Sequence, residues 1–322
     1  LCLASLTAMP VMAQNTTGSV VGRAEPGAQV TITNPQTGYT RTVTADANGN
    51  YRLALLPTGN YTLQTSKDGA PVGNAVPITV TLGNATTVNI GSADAKDLDT
   101  VVVTGSRVIN AVDVTSTESA TNVTREEIAR LPVDQNVTSV ALLAPGVVQG
   151  KSSLGGQGLS FGGSSVAENT VYINGLNVTD FYNRVGFSSV PFAFFQEFQV
   201  KTGGYSVEFG RSTGGVINAI TQSGSNEFRS GVGLTFEPRA WQSSARNRYD
   251  GNGQRYITSS EDDYSRTKLN AYASGPLIRD RLFFFAMYEA RDYRPNSTND
   301  AGSVFYSGQA NDPFWGGKLD WQ

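Results

Sequence analysis

Turn signals recur about every ten residues between Gly18 and Ile90, with short segments of period two between them. A stretch punctuated this way has no room for a cooperative helix and must fold as short strands. Val20 and Val21 lead into the turn Pro26-Gly27. Pro35-Gln36-Thr37-Gly38, Asp46 to Asn50 and Pro57-Thr58-Gly59-Asn60 are the next turns. Gln29 to Thr33, Thr40 to Thr44, Tyr51 to Leu55 and Tyr61 to Gln64 are the strands between them. The pattern describes an all-β sandwich. Composition points the same way for the whole chain, since 35 glycines and only 16% charged residues suit sheets joined by turns.

A polar linker, Gly91 to Asp99, follows. Beyond it Thr100-Val101-Val102-Val103-Thr104 has strong β propensity and no obvious sheet of its own. Such a segment either pairs with another protein's sheet edge or is an edge strand of the domain before it. After it the period lengthens. Thr124 and Glu127 make a capping box ahead of Ile128 and Leu131, and Pro132 ends that turn. Val137, Val140, Ala141 and Ala144 mark one face of a second short helix, stopped by Pro145-Gly146. Strands are expected at Asn169 to Ile173, closed by the tight turn Asn174-Gly175, at Glu197 to Lys201, and at Gly214 to Thr221. The segment reads as a small α+β domain.

From Asn226 onward alternation lengthens and aromatics gather. Leu282, Phe284, Ala286, Tyr288 and Ala290 share one parity, and Arg281, Glu289 and Arg291 the other. Val232, Leu234 and Phe236 alternate with Gly231, Gly233 and Thr235, and Leu269, Ala271 and Ala273 with more polar neighbours. On a membrane β-barrel the first set of each group faces lipid and the second the lumen; a soluble sheet with one wet face fits the alternation nearly as well. Gly275 to Asp280 reads as the turn between two such strands. Four or five strands of ~10 residues are expected after residue 225, too few to close alone, so most of the barrel is expected to lie beyond this sequence.

Histidine is absent, so neither a Ser-His-Asp triad nor a His-based zinc site can form. Gly210-Arg211-Ser212-Thr213-Gly214 is therefore a chance match to the nucleophile-elbow pattern. Asp46 to Asn50 resembles half a calcium loop, but Tyr51 stands where such a loop needs glycine, and a turn is the better reading. The Gly155-Gly156-Gln157-Gly158 cluster lacks a βαβ frame for a dinucleotide. No catalytic residue, cofactor or metal is expected, and the chain is not read as an enzyme. A net charge of −3 gives no basic surface for nucleic acid. No run of about 18 apolar residues occurs, so no transmembrane helix is expected. Leu1 to Met12 is apolar, and Val11 and Ala13 fit a signal cleavage site, with a buried strand as the alternative. Cys2 would leave with the signal, and with it any disulfide or thiolate metal site.

Several of these stretches resemble known families. Pro26-Gly27-Ala28-x-Val30, Asp46-x-x-Gly49-x-Tyr51-x-Leu53 and Leu56-Pro57-x-Gly59-x-Tyr61 resemble the carboxypeptidase regulatory-like domain, a small sandwich without activity of its own. Asp99 to Thr104 resembles the energy-coupling box of TonB-dependent outer-membrane receptors. Five further motifs follow in the order of a receptor plug: Pro145-Gly146-Val147, Val171 to Gly175, Glu197 to Val200, Glu208-Phe209-Gly210 and Gly214 to Thr221. Tyr205 to Gly215 and Ser223 to Phe228 look most like the Oar-like (OmpA-related) branch. Siderophore-type plugs often carry Ile-Arg-Gly where this chain has Ser160-Phe161-Gly162, so the resemblance gives no support for a siderophore.

The resemblance implies a mainly β protein. Residues 1–13 are the signal remnant, 14–91 the regulatory-like sandwich and 92–107 the linker and box. Residues 108–224 are an α+β plug, and 225–322 the start of a transmembrane β-barrel. The expected partners are the periplasmic domain of TonB with its inner-membrane ExbB/ExbD motor, outer-membrane lipid and an extracellular ligand. Asp99, Thr100, Val101, Val102, Val103 and Thr104 would bind TonB. Pro145, Gly146, Asn174, Gly175, Gly210, Arg211, Gly214 and Gly215 would build the plug, with Arg211 a charge for a barrel carboxylate or a solvated loop arginine. The implied location is the outer membrane of a Gram-negative bacterium, N-terminal region in the periplasm. The implied activity is energised transport, the alternative a structural or adhesive surface role.

Overall fold

The computed structural model describes residues 16–90 and 117–322, apart from 129, 131–135, 152–156, 181, 183–185, 188–189, 211, 244–245 and 299–304. The signal remnant, the box at 99–104, Leu131 with Pro132, Gly155 with Gly156, and Arg211 lie outside the described residues. The chain divides into two compact units, one ending at Gln222 and the other beginning at Ser223.

The first unit opens with seven strands: β1 (Thr17–Arg23), β2 (Gln29–Thr33), β3 (Thr40–Thr44), β4 (Asn50–Pro57), β5 (Gly59–Lys67), β6 (Ala70–Val80) and β7 (Ala85–Thr87). They form two sheets, ordered β4-β1-β7 and β3-β2-β5-β6, and only the β1–β7 pair is parallel. Period-two burial brings Val30, Ile32, Leu53 and Leu63 into one core with Val20 and Leu56. The turn chemistry is the expected one. Asp46 accepts the backbone N–H groups of Asn48 and Asn50 at 2.8 Å each. Gly49 supplies the positive φ that the turn needs. The bond from Asn50 leads in holding the Asp46 carboxyl below its ordinary range. Tyr51 donates to the Val88 carbonyl and Tyr61 to that of Pro57, each at 2.7 Å. Burial pushes the Tyr61 phenol up to about 12.

The irregular point of the sandwich is Leu55. The β1–β4 register shifts between Gly18 and Val20, and opposite that shift Leu55 takes φ = 56° with its side chain 68% exposed. A left-handed leucine with little burial costs ~1–2 kcal/mol, which asparagine tolerates far better. Leu55→Asn is therefore expected to raise stability by about 1 kcal/mol, read as a higher thermal midpoint of the sandwich; an unchanged or lower midpoint contradicts this account.

The same unit continues with β8 (Ser119–Thr124), α1 (Arg125–Ile128), α2 (Val137–Ala141), β9 (Val147–Lys151), β10 (Gln157–Phe161), β11 (Thr170–Ile173), β12 (Leu176–Asn177), β13 (Phe195–Gly203) and β14 (Val216–Thr221). Five strands make one mixed sheet in the order β12-β11-β14-β13-β8, and β9 pairs with β10 separately. The capping box forms as read: the Thr124 N–H donates to the Glu127 carboxylate at 2.8 Å, and the Glu127 N–H to the Thr124 hydroxyl at 3.4 Å. Val137, Val140, Ala141 and Ala144 are all buried against the sheet. The helix is shorter than expected, a single turn capped by Asn136 that ends at Ala141, so Ala144 lies beyond it.

Among its described residues the second unit forms two antiparallel sheets, the smaller a separate pair of short strands spanning 248–257. Its strands are β15 (Arg229–Glu237), β16 (Arg248–Tyr249), β17 (Arg255–Ile257), β18 (Asp263–Ile278), β19 (Leu282–Thr298), β20 (Phe305–Ser307) and β21 (Phe314–Trp321). β15, β18 and β19 are neighbours; β19 then pairs with both β20 and β21. The expected parity holds: Val232, Leu234, Phe236, Leu269 and Tyr288 are exposed, whereas Phe283, Phe285, Met287 and Glu289 are buried. Two expectations need correction. Gly275 to Ile278 is strand, and the turn is confined to Arg279, Asp280 and Arg281. Pro276 is tolerated because the β18–β19 register shifts between Pro276 and Ile278. Also, β18 and β19 run for 16 and 17 residues, well beyond the ~10 needed to cross a bilayer.

Candidate functional site: the plug sheet and its anchors

Strand β13 lies between β14 and β8, and residues Glu197 to Lys201 are buried on both faces. Phe198 and Val200 point into the apolar core, with Ile217, Ala219 and Val123. A register shift between Phe195 and Glu197 lets Phe195 join the same core, its ring 4.7 Å from that of Phe198. The other parity is Glu197, Gln199 and Lys201, exposed by only 3%, 1% and 3%. Burying three such groups is unfavourable unless each is paired.

Lys201 is paired with Glu118, at 2.6 Å, and its ammonium lies 4.4 Å from the centre of the Phe209 ring. Glu118 stands immediately before β8, and its other oxygen accepts the Ser206 N–H at 3.1 Å. One carboxylate thus ties the start of β8 to β13 and to the loop after it. Glu197 accepts the Asn122 amide at 2.7 Å and the Leu82 N–H at 2.9 Å. Burial raises its carboxyl to about 7, opposed by those two bonds and assisted by the nearby charges of Glu127 and Glu126.

The motif residues sit at the ends of the sheet. Asn174 and Gly175 both have positive φ and turn β11 into β12. The Asn174 side chain accepts the Thr221 N–H at 3.0 Å and donates to the Thr221 hydroxyl at 2.8 Å, joining the ends of β11 and β14. Gly214 and Gly215 lie at the opposite end of that pair. A β-carbon on Gly215 would enter the Phe161 ring, and one on Gly214 would overlap the Asn169 side chain. Tyr205 donates to the Gly214 carbonyl at 2.8 Å. Ser212, the serine of the apparent elbow, is held on the Glu168 and Gly215 carbonyls at 3.1 and 3.0 Å. Gly210 follows the buried Phe209, and Pro145-Gly146 turns into β9, with the Gly162 N–H on the Gly146 carbonyl at 2.8 Å. Gly214 and Gly215 thus serve close packing, whereas Gly146 and Gly175 supply positive φ at turns.

Sequence reasoning found the strand Glu197 to Lys201 and missed its polar face. The signal was there, as three polar residues of one parity between buried apolar ones, but period two normally assigns that parity to water. Glu118 carried no sequence signal. Among the described residues no cluster of acidic or thiol side chains could hold a metal ion.

Residues 15–92 match the carboxypeptidase regulatory-like domain family, and residues 113–216 match the TonB-dependent receptor plug domain family. The TonB-dependent transporter Oar of Myxococcus xanthus is 34% identical over 274 residues, 81% of this chain and 25% of that protein. The plug domain of this chain is that of a TonB-dependent receptor. The outer membrane transporter YddB of Escherichia coli superimposes on 63% of the chain and 31% of its own, at 20% identity and a TM-score of 0.47. A ferric enterobactin receptor mutant of Pseudomonas aeruginosa does so over the same shares, at 18% identity and 0.44. The chain spans a quarter of the length of the Oar relative.

In this receptor plug, the Glu118–Lys201 pair is the first anchor described after residue 116. Removing one member leaves a buried charge unpaired, at a cost of ~3–5 kcal/mol. Glu118→Ala is expected to destabilise the plug by that amount, and Glu118→Ala with Lys201→Met to recover most of it. Denaturant unfolding followed by plug-specific hydrogen exchange measures both. Equal stability of the single and double variants would show that the pair is not what holds the entry to β8.

Proposed function

We propose that the chain forms the N-terminal region of an Oar-like, TonB-dependent outer-membrane transporter and works in energised movement of an extracellular ligand through a plugged β-barrel. The observation that carries this reading is the apolar stripe of the second unit. Val232, Leu234, Phe236, Leu269, Tyr288, Trp315, Leu319 and Trp321 are 48–80% exposed on alternating positions of β15, β18, β19 and β21. A water-facing sheet would hide such a stripe, whereas a barrel wall turns it to lipid. It follows a plug domain in the same chain. No helix among the described residues is long and apolar enough to cross a membrane.

In this proposal the signal remnant, sandwich, coupling segment, plug and barrel divide the chain at residues 13, 91, 107 and 224. The role is binding and translocation, with no catalysis. Asp99 to Thr104 hangs in the periplasm and adds as a strand to the C-terminal domain of TonB, which the ExbB/ExbD motor drives. Main-chain hydrogen bonds would carry the strand addition, so a residue that cannot donate should break it while a change of side chain should not. Val102→Pro is expected to weaken binding to the TonB periplasmic domain by about a hundredfold or more, and Val102→Ala by less than about threefold. Isothermal titration of the intact chain measures both. Equal affinity for wild type and Val102→Pro would reject the coupling role and favour an adhesive surface role.

A further inference from the structure

The polar face of β13 is completed by the sandwich. Leu82, in the turn between β6 and β7, has no exposed surface. Its N–H donates to Glu197 at 2.9 Å, and its carbonyl accepts from Asn122 at 2.8 Å and from Gln199 at 2.6 Å. The three side chains form one array. Glu197 and Gln199 are two apart on β13, Asn122 is directly opposite Gln199 on β8, and the Gln199 amide also donates to Asn122 at 3.1 Å. Gly83 lets the backbone come this close: its φ is +67°, and a β-carbon there would lie 2.7 Å from the Gln199 amide. The array reads a main chain, donor and acceptor together, and takes nothing from the leucine side chain's chemistry.

Two features make this contact conditional. The Gln199 amide oxygen is buried with no donor among the described residues, so the array is incompletely satisfied. And β8, which contributes Asn122, is the edge strand of the sheet, paired on one side only.

We propose that the Leu82–Gly83 turn is a releasable clasp by which the sandwich braces the edge strand β8 of the plug, with Asn122, Glu197 and Gln199 as its receptor. While the turn is seated, the Leu82 carbonyl bridges β8 and β13 from outside the ladder. When it leaves, β8 loses that bridge and keeps its ladder, the Asn122 bonds to β13 and the Glu118 anchor. This goes beyond the transport reading and does not depend on it.

The groups around Glu197 set the direction of its pH dependence. The turn 81–84 carries no charge, and Ile220 faces Glu197 from β14. Helix α1 brings Glu126 and Glu127, which disfavour ionisation, and Arg125, whose guanidinium is turned to the Ala193 carbonyl. Lys201, further along β13, is occupied by Glu118. The seated carboxyl titrates near 7 and a solvated one near 4.5. The seated state therefore holds a proton that the open state loses between those values. Seating is fully favoured below 4.5, weakens as pH rises to about 7, and is flat above; the equilibrium falls by ~300-fold at most.

Hydrogen exchange of the intact chain at pH 5.5 and 8, corrected for intrinsic rates, tests the clasp. Expected in the wild type is protection of the Leu82 amide at pH 5.5 that drops at pH 8, with β8 amides following. Glu197→Gln keeps one acceptor oxygen, and a single oxygen takes both bonds, but it cannot ionise, so its protection should not change with pH. Asn122→Ala with Gln199→Ala should lose protection of Leu82 and β8 at both pH values while β2 and β5 stay protected, which shows that the sandwich remains folded. Leu82 protection unaltered in that double variant, or the same pH response in wild type and Glu197→Gln, would overturn the clasp. Loss at Leu82 without any change in β8 would overturn the brace.

Discussion

The plug depends on one strand that is buried on both faces yet is apolar on only one. Phe198 and Val200 drive β13 into the core, and the pleat then carries Glu197, Gln199 and Lys201 out of water on the other side. Each of those groups must find a partner or the strand cannot stay where its apolar face puts it. The partners come from three places: Glu118 before β8, Asn122 within it, and the Leu82 backbone of the sandwich. Much of the order at the N-terminal side of the plug is a consequence of satisfying that face.

The same requirement gives the plug a direction of weakness. The chain enters at Glu118, runs into the edge strand β8 and reaches β13, whose other neighbour β14 is entirely buried. A load applied upstream of residue 117 would meet the Glu118–Lys201 pair first, then the β8 ladder, and only later the central strands. The anchors at the far side, Asn174 on Thr221 and Gly215 against Phe161, lie at the ends of β11 and β14 and are not in that line. In the proposed transporter, this ordering confines an early rearrangement to one edge of the sheet and leaves the parallel β11–β14 pair intact.

The second unit is governed by a simpler constraint. Its strands have apolar side chains at alternate positions that no other described part of the chain covers, and the opposite parity is occupied by Gly231, Gly233, Asn270 and Tyr272, with Tyr272 stacked on Phe285 at 5.8 Å. Gly231 and Gly233 make room for the Tyr272 and Asn270 side chains across the β15–β18 ladder. Large groups on one strand are matched by glycines on the next, so the inward face is shaped strand by strand.

What the sequence by itself determined is whatever depends on local geometry. Period-two strands, Asn174-Gly175 as a turn with two positive φ values, the Thr124–Glu127 capping box, the Asp46 turn and the alternation after Asn226 all follow from neighbours a few residues apart. The motif order was legible for the same reason, since each motif is a short piece of backbone with its own steric demand. Tertiary structure alone decided what happens to a polar side chain on a strand. Glu197, Gln199 and Lys201 have the pattern of a wet face, and only the approach of Glu118 and Leu82, 83 and 115 residues away in the chain, makes that face dry. The extent of β18 through Pro276 was likewise set by its partner strand, because a register shift removes the need for the missing donor. Burial is a property of what packs on a surface, and no window of sequence contains its own neighbours.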